Sequence, residues 1–204
     1  METVATTGTA PGRAALLRAM EELAREHGVG NVGLREVARR AGLSHAAPTH
    51  YFGSREGMIR ALALEGLSML DEELCAAQER AAHLPGRERL VADSLEFVAF
   101  AMRHPAHFDA MFRTPSSAEG DPAVDTARLA ALDGLRALVV EVRESGAIAG
   151  DVETTFLQLC ALSHGLASLA VDGLLHGLDH VAADDAQAAS LVELTIRAQV
   201  AQLP

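Results

Sequence analysis

A run of small and polar side chains, Ser44, His45, Ala46, Thr49 and His50, carries the groups best suited to meet a nucleic acid. Ala46 and Thr49 are short enough to allow close approach to base edges, and either methyl suits the methyl of thymine. His45 and His50 can donate to a phosphate or to an acceptor edge. Arg35 and Arg39, just upstream, offer forked guanidinium groups that match phosphate geometry. On an ordinary exposed helix these residues would only be solvated, so their meaning depends on the elements that present them.

Those elements are legible. Leu34, Val37, Ala38 and Ala41 recur at helical spacing and give a first helix one apolar stripe over about 34–41. Gly42 can end it in a left-handed conformation. Ser44 is placed to cap a second helix over about 45–51, with Pro48 in its first turn, where a missing N–H costs little. AGLS is thus read as a helix stop, a buried leucine and a helix start. That is the core of a helix-turn-helix, whose second helix lies in the DNA major groove.

The rest of the chain supports the same class. Alanine and leucine dominate, 49% of the 204 residues are hydrophobic, and alternating β-branched runs are missing, which predicts an all-α fold. About nine helices are expected: 13–27, 34–41, 45–51, about 54–82 with Ser54 as cap, 87–103, a short one from Pro105, 122–145, 152–175 and 186–202. Met1 to about Pro11 is Thr/Ala/Gly-rich and reads as a disordered arm, and Thr114–Asp121 as a loop. The division expected is an arm over 1–11, a three-helix DNA-binding domain over 12–54, and a helical ligand-binding and dimerisation domain over 55–204.

The net charge of −11 excludes a protein that coats nucleic acid indiscriminately. It is unevenly spread. Residues 1–60 hold eight Arg against six acids, a balance of +2, while residues 61–204 hold nine Arg against 22 acids, a balance of −13. A mildly basic head on an acidic body suits a DNA reader. Every basic residue is Arg; there is no Lys. Cys75 and Cys160 form no CxxC, so neither a zinc site nor a disulfide framework is signalled, and both are expected to be reduced. No signal sequence is visible, and no uninterrupted apolar run reaches the roughly 20 residues of a membrane span. A cytoplasmic protein is expected.

Residues 13–60 resemble the DNA-binding domain of TetR-family transcriptional regulators. The matching pieces are ALLRAMEELAREHG, then LREVARRAGLS, then Tyr51-Phe52, then SRE before an apolar helix. The resemblance implies that Arg55 is the basic residue at the start of the long helix and Tyr51 the aromatic phosphate contact. The sequence departs from the family at Gly33, where a hydroxyl cap is common, and at Thr49, where a Tyr is common. HPAHFDAMFR and CALSHGLASLAVDGLL are similar to members whose ligand domain bears a Trp-His-Gly signature. His164-Gly165 match its last two letters and Cys160 stands at the Trp. The segment Ser44–Pro48 also resembles that subgroup.

In the body, Phe97, Phe100, Phe108, Phe112 and Phe156 are five of the six phenylalanines, joined by Met111. Such a set suits an ordinary core or the wall of an apolar cavity, in which His104, His107, Ser163, His164 and Cys160 would orient a largely apolar effector. The spacings His104/His107 and His176/His180 admit a metal on one helix face, but neither has an evident third ligand, so no metal or other cofactor is assigned. No catalytic arrangement is visible. The function expected is a ligand-released repressor that binds a palindromic operator as a homodimer through its last two helices. The alternatives are a helical small-molecule-binding or enzymatic protein that has lost DNA binding, and a metal sensor.

Overall fold

The computed structural model of the protein describes residues 11–112, 121–177 and 184–204. The expected N-terminal arm, apart from Pro11, nearly all of the 114–121 loop and His180 lie outside them. Among the described residues there is no strand. Among the same residues ten α-helices run in order: α1 Pro11–His27, α2 Leu34–Arg40, α3 Ala47–Phe52, α4 Arg55–Ala81, α5 Gly86–Arg103, α6 Pro105–Phe112, α7 Pro122–Glu144, α8 Val152–Val171, α9 Leu174–Gly177 and α10 Asp185–Ala201, with a 3₁₀ turn at Val29–Asn31.

The chain forms two compact units, residues 1–66 with 106–124, and residues 67–105 with 125–204. The first therefore extends beyond residue 54, since the start of α4 and all but the first residue of α6 belong to it. Its core holds Leu16, Met20, Leu23, Val37, Met58 and Leu62, all with essentially no exposed surface. In the second unit α5 packs along α8 and α10, with Leu90, Leu159 and Ile196 fully buried.

Helix starts follow side-chain chemistry where a short acceptor is available. Asp151 accepts from the Thr154 N–H at 2.9 Å and from its hydroxyl, which holds the Asp151 carboxyl below its usual range. Asp184 does the same for Gln187 N–H at 2.8 Å. The helix expected over 152–175 is two helices, because the chain turns at Asp172 and at Gly173, whose φ of +68° suits glycine. By length and composition alone α8 passes for a membrane span, and 28% of its most apolar window is buried within the fold.

Arg87 fastens the end of the second unit. Its guanidinium donates to the carbonyls of Ala147 (3.0 Å), Val200 (2.5 Å) and Leu203 (2.9 Å). Those carbonyls lie beyond a helix or in its last turn, where helical partners run out, and that of Val200 also accepts from the Leu203 N–H.

Candidate nucleic-acid interface and ligand site

The turn between α2 and α3 is built as a Schellman motif. Gly42 takes φ +67°, its N–H donates to Arg39 O at 3.2 Å, and the Leu43 N–H reaches back to Ala38 O at 2.9 Å. Leu43 is half-buried rather than fully covered. The expected role of Ser44 as N-cap does not hold. The helix begins at Ala47, after Ala46, which makes no side-chain cap bond, and the Ser44 carbonyl accepts from Ala47 N–H at 2.9 Å in a preceding turn. The extra turn over 45–46 moves the first helical residue out of reach of the Ser44 hydroxyl. Ser54 does cap α4, accepting from Gly57 N–H at 3.1 Å.

This geometry presents one face. Ser44, His45, Ala46, Thr49 and His50 are all exposed, as are Arg35 and Arg39, while Pro48 is buried and anchors α3 from the other side. Tyr51 is 38% exposed, its ring 5.1 Å from that of His50 and against the backbone of Gly12 in α1. A methyl at Gly12 would come within 3.0 Å of the Tyr51 hydroxyl. Arg13 lies over the Phe52 ring, 5.2 Å from its centre. Arg40 forks onto both oxygens of Glu26 at 2.9 and 3.0 Å, tying α2 to α1 and holding the Glu26 carboxyl below its usual range.

Arg55 stands at the start of α4, as the resemblance implies, and its guanidinium is largely engaged within the fold. Its Nε donates to Val32 O at 2.8 Å, and its Nη2 to Val29 O at 2.9 Å and Gly30 O at 2.6 Å. Three of its five N–H groups therefore brace the turn between α1 and α2, and only the Nη1 pair is left for a phosphate. Two glycines carry weight that spacing does not reveal. A Cβ on Gly57 would lie 2.1 Å from the Phe52 carbonyl oxygen, so α4 can follow α3 this closely only with glycine there. A Cβ on Gly66 would lie 2.7 Å from Met111 Sδ and 2.8 Å from His107 Cβ, so α6 rests directly on the α4 backbone.

The eleven residues expected to line an effector site are divided between the units. In the first, His107 and Met111 are buried, Phe108 and Phe112 pair with ring centres 5.2 Å apart, and His107 Nε2 lies 3.4 Å from a Glu65 oxygen. In the second, Phe97 and His164 face each other at 6.4 Å and Phe100 and His104 at 4.9 Å, with Phe156 half-buried on α8. His104 Nε2 lies 3.5 Å from Glu73. Ser163 is buried, and its hydroxyl has no hydrogen-bond partner. Burial beside Asp93 pushes the Cys160 thiol up to about 11, so it is an inert thiol rather than a nucleophile.

Asp93, Ser94 and Gln78 were not among the expected site residues. Asp93 is 2% exposed and accepts from Gln78 Nε2 at 2.6 Å, while the buried hydroxyl of Ser94 lacks a partner. The signal was present: Asp93 falls in the stripe Leu90, Asp93, Phe97, Phe100, and Ser94 in the stripe Leu90, Ser94, Val98, Ala101. A polar residue inside an apolar stripe is the pattern to seek.

Residues 16–62 match the family described as bacterial regulatory proteins, tetR family. Residues 90–197 match the tetracyclin repressor-like C-terminal domain. No curated protein matches. Among solved structures, a protein of unknown function from Rhodococcus sp. RHA1 is 29% identical, with a TM-score of 0.80 over 98% of this chain and 99% of its own. A tetR-family regulatory protein from Rhodococcus RHA1 is 19% identical, with a TM-score of 0.70 over 93% and 97%. FadR of Bacillus subtilis, solved in complex with stearoyl-CoA, is 14% identical, with a TM-score of 0.73 over 93% and 97%.

Proposed function

Because this chain belongs to the TetR family of DNA-binding transcriptional regulators, we propose that it is a repressor that holds a palindromic operator as a homodimer and is released by a small molecule. The observation that carries this reading is the single exposed face made by His45, Ala46, Thr49 and His50, on a short helix anchored from behind by Pro48. Thr49 and His50 read base edges in the major groove. Arg35, Arg39, Tyr51 and the free Nη1 pair of Arg55 hold phosphates on either side. The protein has no catalytic role and needs no cofactor other than its effector, and it acts on the chromosome in the bacterial cytoplasm.

The dimer follows from surface that the fold leaves uncovered. Leu157 is 65% exposed on α8 and Leu194 60% exposed on α10, with Leu169 and Leu174 also outward. Leucines on the last long helices, on a helix as apolar as α8, need a cover, and a second copy related by a two-fold axis supplies the same surface in return. Leu157→Glu with Leu194→Glu is expected to give subunits of half the mass by light scattering. A wild-type mass of one subunit would refute the dimer.

Release requires the effector to bind the DNA-incompetent state more tightly than the DNA-bound one, since equal affinity shifts nothing. The direct test is selection from a pool of randomised duplexes by the purified protein, followed by a salt titration. The reading expects an enriched palindrome and a steep loss of affinity with salt. Failure to enrich any sequence at low salt overturns it.

A further inference from the structure

The second unit contains a buried negative charge that nothing inside it balances. Asp93 on α5 receives one hydrogen bond, from the neutral amide of Gln78 on α4. Among the described residues no Arg or His forms an ion pair with it. The arginines of this unit are committed elsewhere: Arg80 and Arg103 to Glu96, Arg89 to Glu141, Arg128 to Asp125, Arg136 to Glu153, Arg197 to Glu88, and Arg87 and Arg143 to backbone carbonyls. There is no lysine to recruit. Burial, with Glu96 adding to it, pushes the Asp93 carboxyl up to about 6, which still leaves it mainly ionised at neutral pH. A buried carboxylate with several lone pairs unused is costly unless a cation completes it.

Asp93 acts on Cys160 of α8, and the two packed helices α5 and α8 carry further groups that suit a ligand. Ser94, the next residue, and Ser163 on α8 both carry buried hydroxyls without a partner. Phe97, one turn along α5, sets an aromatic ring towards His164, one turn beyond Cys160 on α8. Aromatic faces stabilise a neighbouring cation where water is excluded. The body also carries the chain's acid excess, a balance of −13 over residues 61–204, which favours the approach of cations and opposes anions. Resting on the reading above that this protein answers to a small molecule, we propose that its effector is a lipophilic cation, an amine with an apolar body, whose charged nitrogen is held by the carboxylate of Asp93.

The test uses three probes with one alkyl chain, decylammonium, decanol and decanoate, titrated into the full-length protein by calorimetry. Decylammonium is expected to bind at least tenfold more tightly than decanol, with decanoate weakest, and Asp93→Asn is expected to erase the preference for the cation. Equal affinity for decylammonium and decanol in the wild type, or tighter binding of decanoate, overturns the proposal. So does an Asp93→Asn protein that is folded and keeps the preference. If that variant does not fold, Gln78→Leu, which leaves the charge in place, is expected to keep the preference, and loss of it there would overturn the assignment to Asp93. Duplex binding measured on the same preparations separates the two readings. Duplex binding without cation preference overturns only the effector class, and cation preference without duplex binding overturns only the regulator.

Discussion

The two units each contain an arginine that holds three backbone carbonyls, Arg55 in the first and Arg87 in the second, yet they distribute polarity in opposite ways. In the first, the polar side chains around α3 stand outside, and among the described residues His107 is the one buried polar residue. In the second, Asp93, Ser94, Thr155 and Ser163 are all buried. Polar groups on a surface are already solvated, so a partner gains from them only by matching their geometry. The buried hydroxyls of Ser94 and Ser163 have no partner, and a ligand that reached them would recover their desolvation cost. One unit is therefore built to meet a large anion from outside, the other to admit a small molecule.

The sharpest way to break this contrast is Gly57→Ala. The new methyl would sit 2.1 Å from the Phe52 carbonyl oxygen, forcing α3 and α4 apart. A loss of about 3 kcal/mol, at the top of the overpacking range, is expected in chemical denaturation, together with loss of duplex binding. Unchanged duplex affinity would mean that the close approach is dispensable.

Next comes the buried charge. Because Asp93 titrates near 6 when folded and near about 3.9 when unfolded, the folded state binds the proton more tightly. Its contribution to stability is therefore greatest below about pH 4, falls as pH rises to about 6, and is level above. Asp93→Asn should remove that slope and raise stability at pH 7 by up to about 3 kcal/mol. The difference between variant and wild type is the quantity to measure, since carboxylates held low, such as Asp151 and Glu141, lose stability in the opposite direction on acidification. An Asp93→Asn protein less stable than wild type at pH 7 would show that the charge is paid for inside the fold.

The paired arginines give a smaller effect. Arg55→Ala and Arg87→Ala each remove the bonds to three carbonyls and should each cost about 2 kcal/mol, but only the first should weaken duplex binding. Lysine, a single ammonium, should not restore either fork. The smallest change is expected for Arg39→Ala, which should alter stability by no more than about 0.5 kcal/mol and lower the salt slope of duplex binding by about one unit. A change in preferred sequence instead would place Arg39 on a base.

Features set by neighbouring residues were readable in advance. The Gly42 stop, the Ser54 cap and the helix PAHFDAMF depend on local φ, hydroxyl placement and a proline, and the structure has each of them. Ser44 failed as a cap because one additional turn intervenes, which composition does not encode. Gly57 and Gly66 were invisible because their constraint comes from Phe52 and from α6, an approach between helices rather than a pattern within one. Arg55 was placed at the right helix terminus, but its bonds run to residues more than twenty positions earlier. The effector residues were the least legible, since apolar periodicity marks a core and a cavity wall alike.

The guanidinium forks have one further consequence, for chemical modification. With arginine as the sole long cationic side chain, neither the brace at Arg55 nor the fastening at Arg87 can be titrated away at any pH a cell reaches. Lysine acetylation, a common way of weakening a DNA-binding surface, has no side chain here on which to act. Amine-directed crosslinkers and dyes would likewise find no ε-ammonium group on the DNA-facing side. Acylation of lysines therefore offers no means of adjusting the head's hold on DNA.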